Sequence, residues 1–165
     1  MSPSYYLDAN ALWKFYQDQK GDLNVRRLVA RSPSQVLISP LTMLEFFGVL
    51  MKYHRKRFIK RKQVHAVASR LRRDAAIDNV HRPFRVTPLP AGSFREAEGI
   101  LLHYGSHYNV QSNDALHLAI VLKLNMGNPV VLVTADNSLQ ITALRRGIDW
   151  YDPETGEQSL MSGKE

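Results

Sequence analysis

Four acidic residues stand where strands and helices are expected to meet, in a chain that is otherwise basic. Asp8 and Asp136 each follow a short apolar stretch typical of a buried strand. Glu45 lies within an apolar helical pattern, and Asp114 begins another. Carboxylates in apolar surroundings cost free energy unless they are paired. A shared hard cation such as Mg²⁺ or Mn²⁺ would neutralise them, because these ions prefer oxygen ligands.

Each acid, taken singly, also has a structural explanation. Asp8 and Asp136 are well placed to cap the helices that follow them, since Asp is favoured at that position. Asp114 suits the first turn of a helix, where the helix dipole favours negative charge. Glu45 has no such role, and unpaired buried carboxylates are rare. Only the four together indicate a site.

The acids are positioned by an alternating pattern of strands and helices. We predict strands at residues 5–7, 36–39, 84–89, 130–133 and 148–151. We predict helices at residues 11–18, 25–30, 41–53, 64–75, 93–104, 115–124 and 139–146. The sequence from Ser93 to Glu96 has the form of a capping box at the start of one of them. Such alternation favours a parallel sheet covered by helices on both faces.

That architecture predicts where the acids meet. Ligands of open α/β sheets bind beyond the carboxyl ends of the strands, and right-handed crossovers bring those ends to one edge. Four carboxylates gathered there repel one another unless a cation neutralises them. A site of this kind suits metal-assisted hydrolysis of a phosphodiester, because the cation offsets the charge of the phosphate.

The composition limits the remaining possibilities. A chain of 165 residues with 44% apolar content suits one domain, which we place at residues 1–152, followed by a weakly packed polar tail at 153–165. The sequence contains no long apolar run, so we predict no membrane helix. The N-terminus does not resemble a signal peptide. The absence of cysteine excludes disulfides and thiolate metal sites. These features fit a cytoplasmic protein.

A net charge of +7 indicates a polyanionic partner. The charge is densest in one segment that contains almost no acids, and Tyr53 and Phe58 lie within it. A solvated helical face is the usual explanation of such a run, but aromatic rings among basic residues also suit RNA. The candidate RNA-binding residues are Lys52, Arg55, Lys56, Arg57, Lys60, Arg61 and Lys62.

The segments that carry the acids resemble those of PIN-domain ribonucleases. They lie at residues 7–10, 39–45, 113–119 and 133–136, in the same order and at suitable separations. The resemblance extends from about residue 5 to residue 150. Within the family, the chain is most similar to the toxin nucleases of VapBC-type toxin–antitoxin pairs.

The resemblance implies a three-layer α/β/α fold with a central parallel sheet of about five strands. It also implies an endoribonuclease that depends on Mg²⁺ or Mn²⁺. The implied metal ligands are Asp8, Glu45, Asp114 and Asp136, and the implied orienting residues of the catalytic site are Thr134 and Asn10.

Two protein partners follow from the same resemblance, namely a cognate antitoxin and a second copy of this chain. The candidate apolar contacts for the antitoxin are Phe46, Phe47, Met51 and Phe58, although ordinary core packing is favoured for Phe47 and Met51. His117, one turn after Asp114, could reach the metal site or a phosphate, but a packed helix histidine is the favoured interpretation.

Two other functions remain open from the sequence. A PIN-like protein can bind RNA without cutting it, but the presence of all four acids argues against a degenerate site. A phosphotransferase would use Asp8 as the nucleophile, as haloacid-dehalogenase-like phosphatases do. That family requires a second aspartate where Asn10 stands, so this function is disfavoured.

Overall fold

A five-stranded sheet forms the centre of the molecule in the computed structural model, which describes residues 2–159. The strands are β1 (Ser4–Leu7), β2 (Val36–Ile38), β3 (Arg85–Val86), β4 (Val130–Val133) and β5 (Trp150–Tyr151). Their order across the sheet is β3-β2-β1-β4-β5, and every pair is parallel. The carboxyl ends of all five strands therefore face the same edge.

Helices cover both faces of the sheet. They are α1 (Ala9–Tyr16), α2 (Asp22–Arg31), α3 (Pro40–Arg55), α4 (Arg61–Asp74), α5 (Ser93–Tyr108), α6 (Ser112–Asn125) and α7 (Asn137–Arg145). One core cluster joins the sheet to α5, α6 and α7, and the other joins it to α1–α4. Neighbouring residues of a strand, such as Leu132 and Val133, point into opposite clusters, which explains why β2 and β4 are apolar throughout. The predicted α/β/α fold is confirmed.

Helix α6 is buried nearly all round, as its sequence predicts. Residues 115–121 are all buried and pack against α5 and the sheet. Within residues 2–159, no helix is both long and apolar enough to cross a membrane.

Two local predictions were wrong. The strand predicted at 84–89 is paired only at Arg85–Val86. The Thr87 N–H still donates to the Ile38 carbonyl at 2.8 Å, but β2 ends at Ile38 and offers no partner beyond it. The capping box at the start of α5 is absent, since Gly92 is the cap residue and adopts a left-handed conformation (φ 77°). Ser93 is already helical, and its hydroxyl donates to the Pro90 carbonyl at 2.7 Å.

The segment after residue 152 was expected to pack weakly, but its described part contacts the domain closely. The Lys14 ammonium donates to the Glu154 carboxylate at 2.6 Å, and the Asn24 amide donates to the Pro153 carbonyl at 2.8 Å. Residues 160–165 lie outside the described residues. The boundary between domain and tail stays a prediction.

A pair of glycine variants tests this docking. A Cβ at Gly21 would lie 2.8 Å from the Pro153 carbonyl oxygen, at a residue with φ +86°. A Cβ at Gly48, in the middle of α3, would meet nothing within 4 Å. We predict that Gly21→Ala lowers the free energy of unfolding by about 2 kcal/mol or more, and that Gly48→Ala raises it by up to about 1 kcal/mol. Urea titrations measure both changes, and equal values for the two variants would contradict the close approach.

Candidate active site

The four acids line one cavity beyond the carboxyl ends of β1 and β4. The cavity has a volume of about 600 Å³, and Asp8, Glu45, Asp114 and Asp136 all contribute to its wall. They come from four elements that are far apart in the sequence but are brought to the same sheet edge by the parallel topology. Asn10 also lines the cavity, so the structure brings five of the six predicted catalytic residues into direct contact with it.

The sixth residue, Thr134, lies behind the wall and connects the first acid to the last. Asp8 follows β1 and caps α1, with its Oδ1 accepting from the Ala11 N–H at 2.6 Å. Burial raises the pKa of the Asp8 carboxyl, and a hydrogen bond from the Thr134 hydroxyl opposes this rise. The same Thr134 oxygen accepts from the Asp136 N–H at 3.1 Å. Thr134 is fully buried, so this connection is held rigidly.

The other two strand-edge acids are also held by helix termini. Asp136 caps α7 and accepts from the Leu139 N–H at 2.9 Å. Asp114 lies in the first turn of α6 and accepts from the Gln111 N–H at 2.9 Å. Burial raises the pKa of Asp114, and so do the negative charges of Asp136 and Glu45. These acids therefore do cap or begin helices, as the sequence suggested for each of them singly. They also share one cavity, where their negative charges repel one another.

Glu45 is not an isolated carboxylate, because two side chains of α6 bind it. His117 Nε2 lies 2.6 Å from Glu45 Oε2, and the Asn113 amide donates to Oε1 at 2.8 Å. Burial alone would raise the pKa of Glu45, but the hydrogen bond and charge of His117, with the Asn113 hydrogen bond, hold it below its usual value. These contacts offset the desolvation cost that the sequence predicts for this residue.

His117 belongs to a buried chain of hydrogen bonds that sequence reasoning missed. It is 1% exposed, as the packed interpretation expects, and it also lines the cavity and contacts Glu45. Its Nδ1 lies 2.8 Å from the Tyr6 hydroxyl, which in turn lies 2.8 Å from the Ser39 hydroxyl. Ser39 caps α3 and accepts from the Thr42 N–H. A buried histidine needs a hydrogen-bond partner at each ring nitrogen. That rule, applied to His117, could have predicted such partners from the sequence.

The donor chemistry of this cavity fits a hydrated hard cation. Among the described residues, no group of three or more His, Asp or Glu side chains is arranged to hold a metal ion as it stands. The carboxylates instead stand around the wall, each anchored by a hydrogen bond. Mg²⁺ normally keeps several waters and takes only one or two carboxylates directly, so an all-protein cage is not required. The remaining carboxylates would act through water.

The first of the seven candidate RNA-binding residues lies in the cavity wall, and the others follow it along the chain. Lys52 lines the cavity. The other six are exposed and lie at the end of α3, in the following loop and in the first turn of α4. Phe58, within the same segment, is 69% exposed.

Two predictions about apolar residues of α3 were wrong. Phe46 was a candidate partner contact but is fully buried, because it packs against Trp13 and Tyr16. Met51 was assigned to the core but is exposed. The helix turns its more polar face, which carries Glu45, toward the cavity, so residues on the border of that face remain in solvent.

The comparisons with known proteins agree with this fold. A sequence profile of the PIN domain matches residues 5–144. A search of curated proteins finds no significant match.

Three similar solved structures, each with a TM-score above 0.5, illustrate this likeness. PAE2754 from Pyrobaculum aerophilum is 22% identical, with a TM-score of 0.62 over 94% of this chain and 93% of that one. VapBC2 from Rickettsia felis, bound to a DNA fragment from its promoter, is 15% identical, with a TM-score of 0.60 over 90% and 97%. VapC20 from Mycobacterium tuberculosis, a toxin that cleaves the sarcin–ricin loop, is 18% identical, with a TM-score of 0.61 over 84% and 94%. At these identities, the likeness is one of fold.

The buried chain of hydrogen bonds gives a stability prediction. Tyr6→Phe removes the hydroxyl that contacts His117 and Ser39 and leaves a buried ring nitrogen without its partner. We predict a loss of about 1–3 kcal/mol in the free energy of unfolding. Tyr5→Phe is the matched control, because Tyr5 is the preceding strand residue and is partly exposed. Chemical denaturation followed by circular dichroism measures the free energy of unfolding of both variants. Equal stability of the two would show that these hydrogen bonds contribute nothing to the stability of the fold.

Proposed function

Because the chain belongs to the PIN domain family, we propose that it is an endoribonuclease that hydrolyses RNA phosphodiester bonds with the help of Mg²⁺ or Mn²⁺. Membership of the family indicates a hydrolytic nuclease; the RNA substrate and the metal are the proposal. The observation that carries it is the convergence of Asp8, Glu45, Asp114 and Asp136 on one cavity. Lys52 on the same wall supplies the positive charge that a phosphate needs.

We assign Asp8 and Asp114 as the primary metal ligands. Burial raises the pKa of both carboxyls, so a bound cation would stabilise their charged forms. Glu45 and Asp136 would hold the ion through water, or hold a second ion that stays only with substrate. When bound, such a cation makes water easier to deprotonate and offsets the charge of the scissile phosphate.

The residues of the chain orient the reactants. Thr134 fixes Asp8 relative to Asp136 through its buried hydroxyl. His117 and Asn113 hold the two oxygens of Glu45 in place. The Asn10 amide, exposed at the cavity wall, can orient water or a phosphate oxygen. In-line attack by water at phosphorus leaves a 5′-phosphate and a 3′-hydroxyl.

We further propose that the protein is the toxin of a toxin–antitoxin pair. The support is the likeness in fold to the VapBC2 complex and to the VapC20 toxin. Leu44 is 70% exposed and lines the cavity, and Met51 and Phe58 are exposed further along the same segment. They offer apolar contacts to an antitoxin that covers the site. We expect a homodimer and a cytoplasmic location, where cellular RNA is found.

Conservative variants of the two assigned primary ligands test the activity. Asp8→Asn and Asp114→Asn keep the shape and the capping oxygen of each residue but remove a negative charge. We predict that cleavage of a labelled RNA pool in Mg²⁺ or Mn²⁺ falls by about 100-fold or more, since loss even of a residue behind a metal ligand costs 10–100-fold.

Asp78→Asn is the control, because Asp78 is exposed and is not part of the cavity wall. Circular dichroism establishes that all three variants are folded. Full activity of either active-site variant would refute the assignment. RNA binding without any cleavage by the unaltered protein would favour the competing function, a PIN-like protein that binds RNA only.

The basic segment makes a separate prediction about salt. Replacing Arg55, Lys56 and Arg57 with Ala should weaken RNA binding and reduce the slope of log affinity against log salt by up to about 2, given roughly 0.7 for each phosphate contact of a single strand. The matched control replaces Arg27 and Arg31, two exposed residues of α2. An unchanged slope in the triple variant would remove this surface from the RNA path.

A further inference from the structure

A second cavity of about 400 Å³ adjoins the acidic one. The two cavities share Asn10, Val49, Lys52 and Asp136 in their walls. A molecule bound at the acids can therefore extend past Lys52 into the second cavity. Its volume falls within the roughly 300–1,000 Å³ range of pockets that bind small ligands.

The second cavity has a different chemical character from the first. Its wall includes the aromatic rings of Trp13 and Tyr53, whose centroids are 4.9 Å apart. Trp13 is held from behind by Phe46, at 5.3 Å between centroids. Trp13 is 4% exposed and Tyr53 is half-buried, so Tyr53 offers the larger part of this wall to a ligand. Both rings are fixed by the core and need not be ordered before they contact a planar ring.

Polar groups suited to the edge of a nucleobase also face this cavity. Gln19 and Asn10 both line it, and within residues 2–159 neither side-chain amide has a hydrogen-bond partner in the protein. An amide offers both a donor and an acceptor, which matches the mixed pattern of a base edge. These two groups are therefore available for a ligand.

The charges of the cavity favour a single phosphate at its entrance. Lys14 is neutralised by Glu154 at 2.6 Å and also donates to the Lys20 carbonyl. Lys52, in contrast, forms no salt bridge with any residue in the described part of the chain. Lys52 lines both cavities, and its exposed side chain is free to bind a phosphate there.

We propose that the second cavity is a nucleoside subsite, which binds the RNA residue next to the scissile phosphate. This inference rests on the proposed nuclease function. The base lies against Tyr53 and the small exposed part of Trp13, the Gln19 amide contacts its edge, and Lys52 contacts the phosphate between the two cavities. Base–aromatic contacts are a principal source of affinity for single-stranded RNA.

The C-terminal segment takes part in this subsite. Glu154 belongs to the wall and lies beyond residue 144, where the match to the PIN-domain profile ends. Its ion pair partner Lys14 lines the same wall, and neither residue lines the acidic cavity. The segment therefore helps to decide which nucleoside is accepted, while the acids perform the chemistry.

The two tryptophans of the chain provide a direct test. Trp150→Phe leaves Trp13 as the only tryptophan, and Trp13→Phe leaves Trp150, which lies in β5 outside this wall. We predict that a diribonucleoside monophosphate, added in EDTA to prevent cleavage, changes the Trp13 emission saturably and leaves the Trp150 emission unchanged. Inorganic phosphate alone should not produce the change in Trp13.

Substitutions in the Trp150→Phe background locate the contact. We predict that Gln19→Ala weakens dinucleotide binding roughly three- to tenfold, as the loss of a hydrogen bond would, and that Lys52→Ala also weakens it. In cleavage assays, Gln19→Ala should raise KM more than it lowers kcat. Gln158→Ala, an exposed residue of the C-terminal segment outside this wall, is the matched control.

The subsite and the nuclease can fail separately. RNA cleavage by the single-tryptophan protein, with no response of Trp13 to the dinucleotide, would overturn the subsite and leave the proposed function intact. Equal affinity of the Gln19→Ala and Gln158→Ala variants would also overturn it. A saturable Trp13 response in a protein that cuts no RNA would support nucleoside binding and refute the nuclease.

Discussion

Repulsion between carboxylates gathered at one sheet edge is the constraint on which the rest of this structure depends. The parallel topology brings four acids to a single cavity. Burial raises the pKa of Asp114, and the negative charges of Asp136 and Glu45 raise it further. A fold does not maintain such an arrangement for stability alone. The hydrogen bonds that hold each acid are best understood as means of keeping like charges apart and correctly oriented.

Those hydrogen bonds connect the site to both halves of the core. Three of the acids are fixed by helix N-termini, whose N–H groups favour negative charge. Glu45 is fixed by α6 instead, and its partner His117 reaches through Tyr6 to the cap of α3 at Ser39. Because Tyr6 is a fully buried strand residue, the orientation of Glu45 depends on the packing of the sheet. Substitutions far from the cavity can therefore affect it.

The sequence predicts the parts of this molecule that depend on local pattern. Strand apolarity, the buried helix α6 and the acids at strand ends all follow from periodicity and from the geometry of parallel sheets. Contacts over long separations did not follow, because no local pattern encodes them. The partners of Glu45 lie 68 and 72 residues away, and the docking of Glu154 onto Lys14 spans 140 residues. The false capping box at Ser93 shows that a motif also needs the right backbone, here altered by Gly92.

The most direct measurement is the thermal unfolding of the full chain with and without Mn²⁺. If the four carboxylates form a cation site, Mn²⁺ at about 100 times its dissociation constant stabilises the fold by about 2.7 kcal/mol, which raises the Tm by about 5–10 °C for a domain of this size. A variant carrying both Asp8→Asn and Asp114→Asn should lose this increase while keeping its fold in EDTA. An equal increase in both proteins, or none in the unaltered chain, would contradict the account.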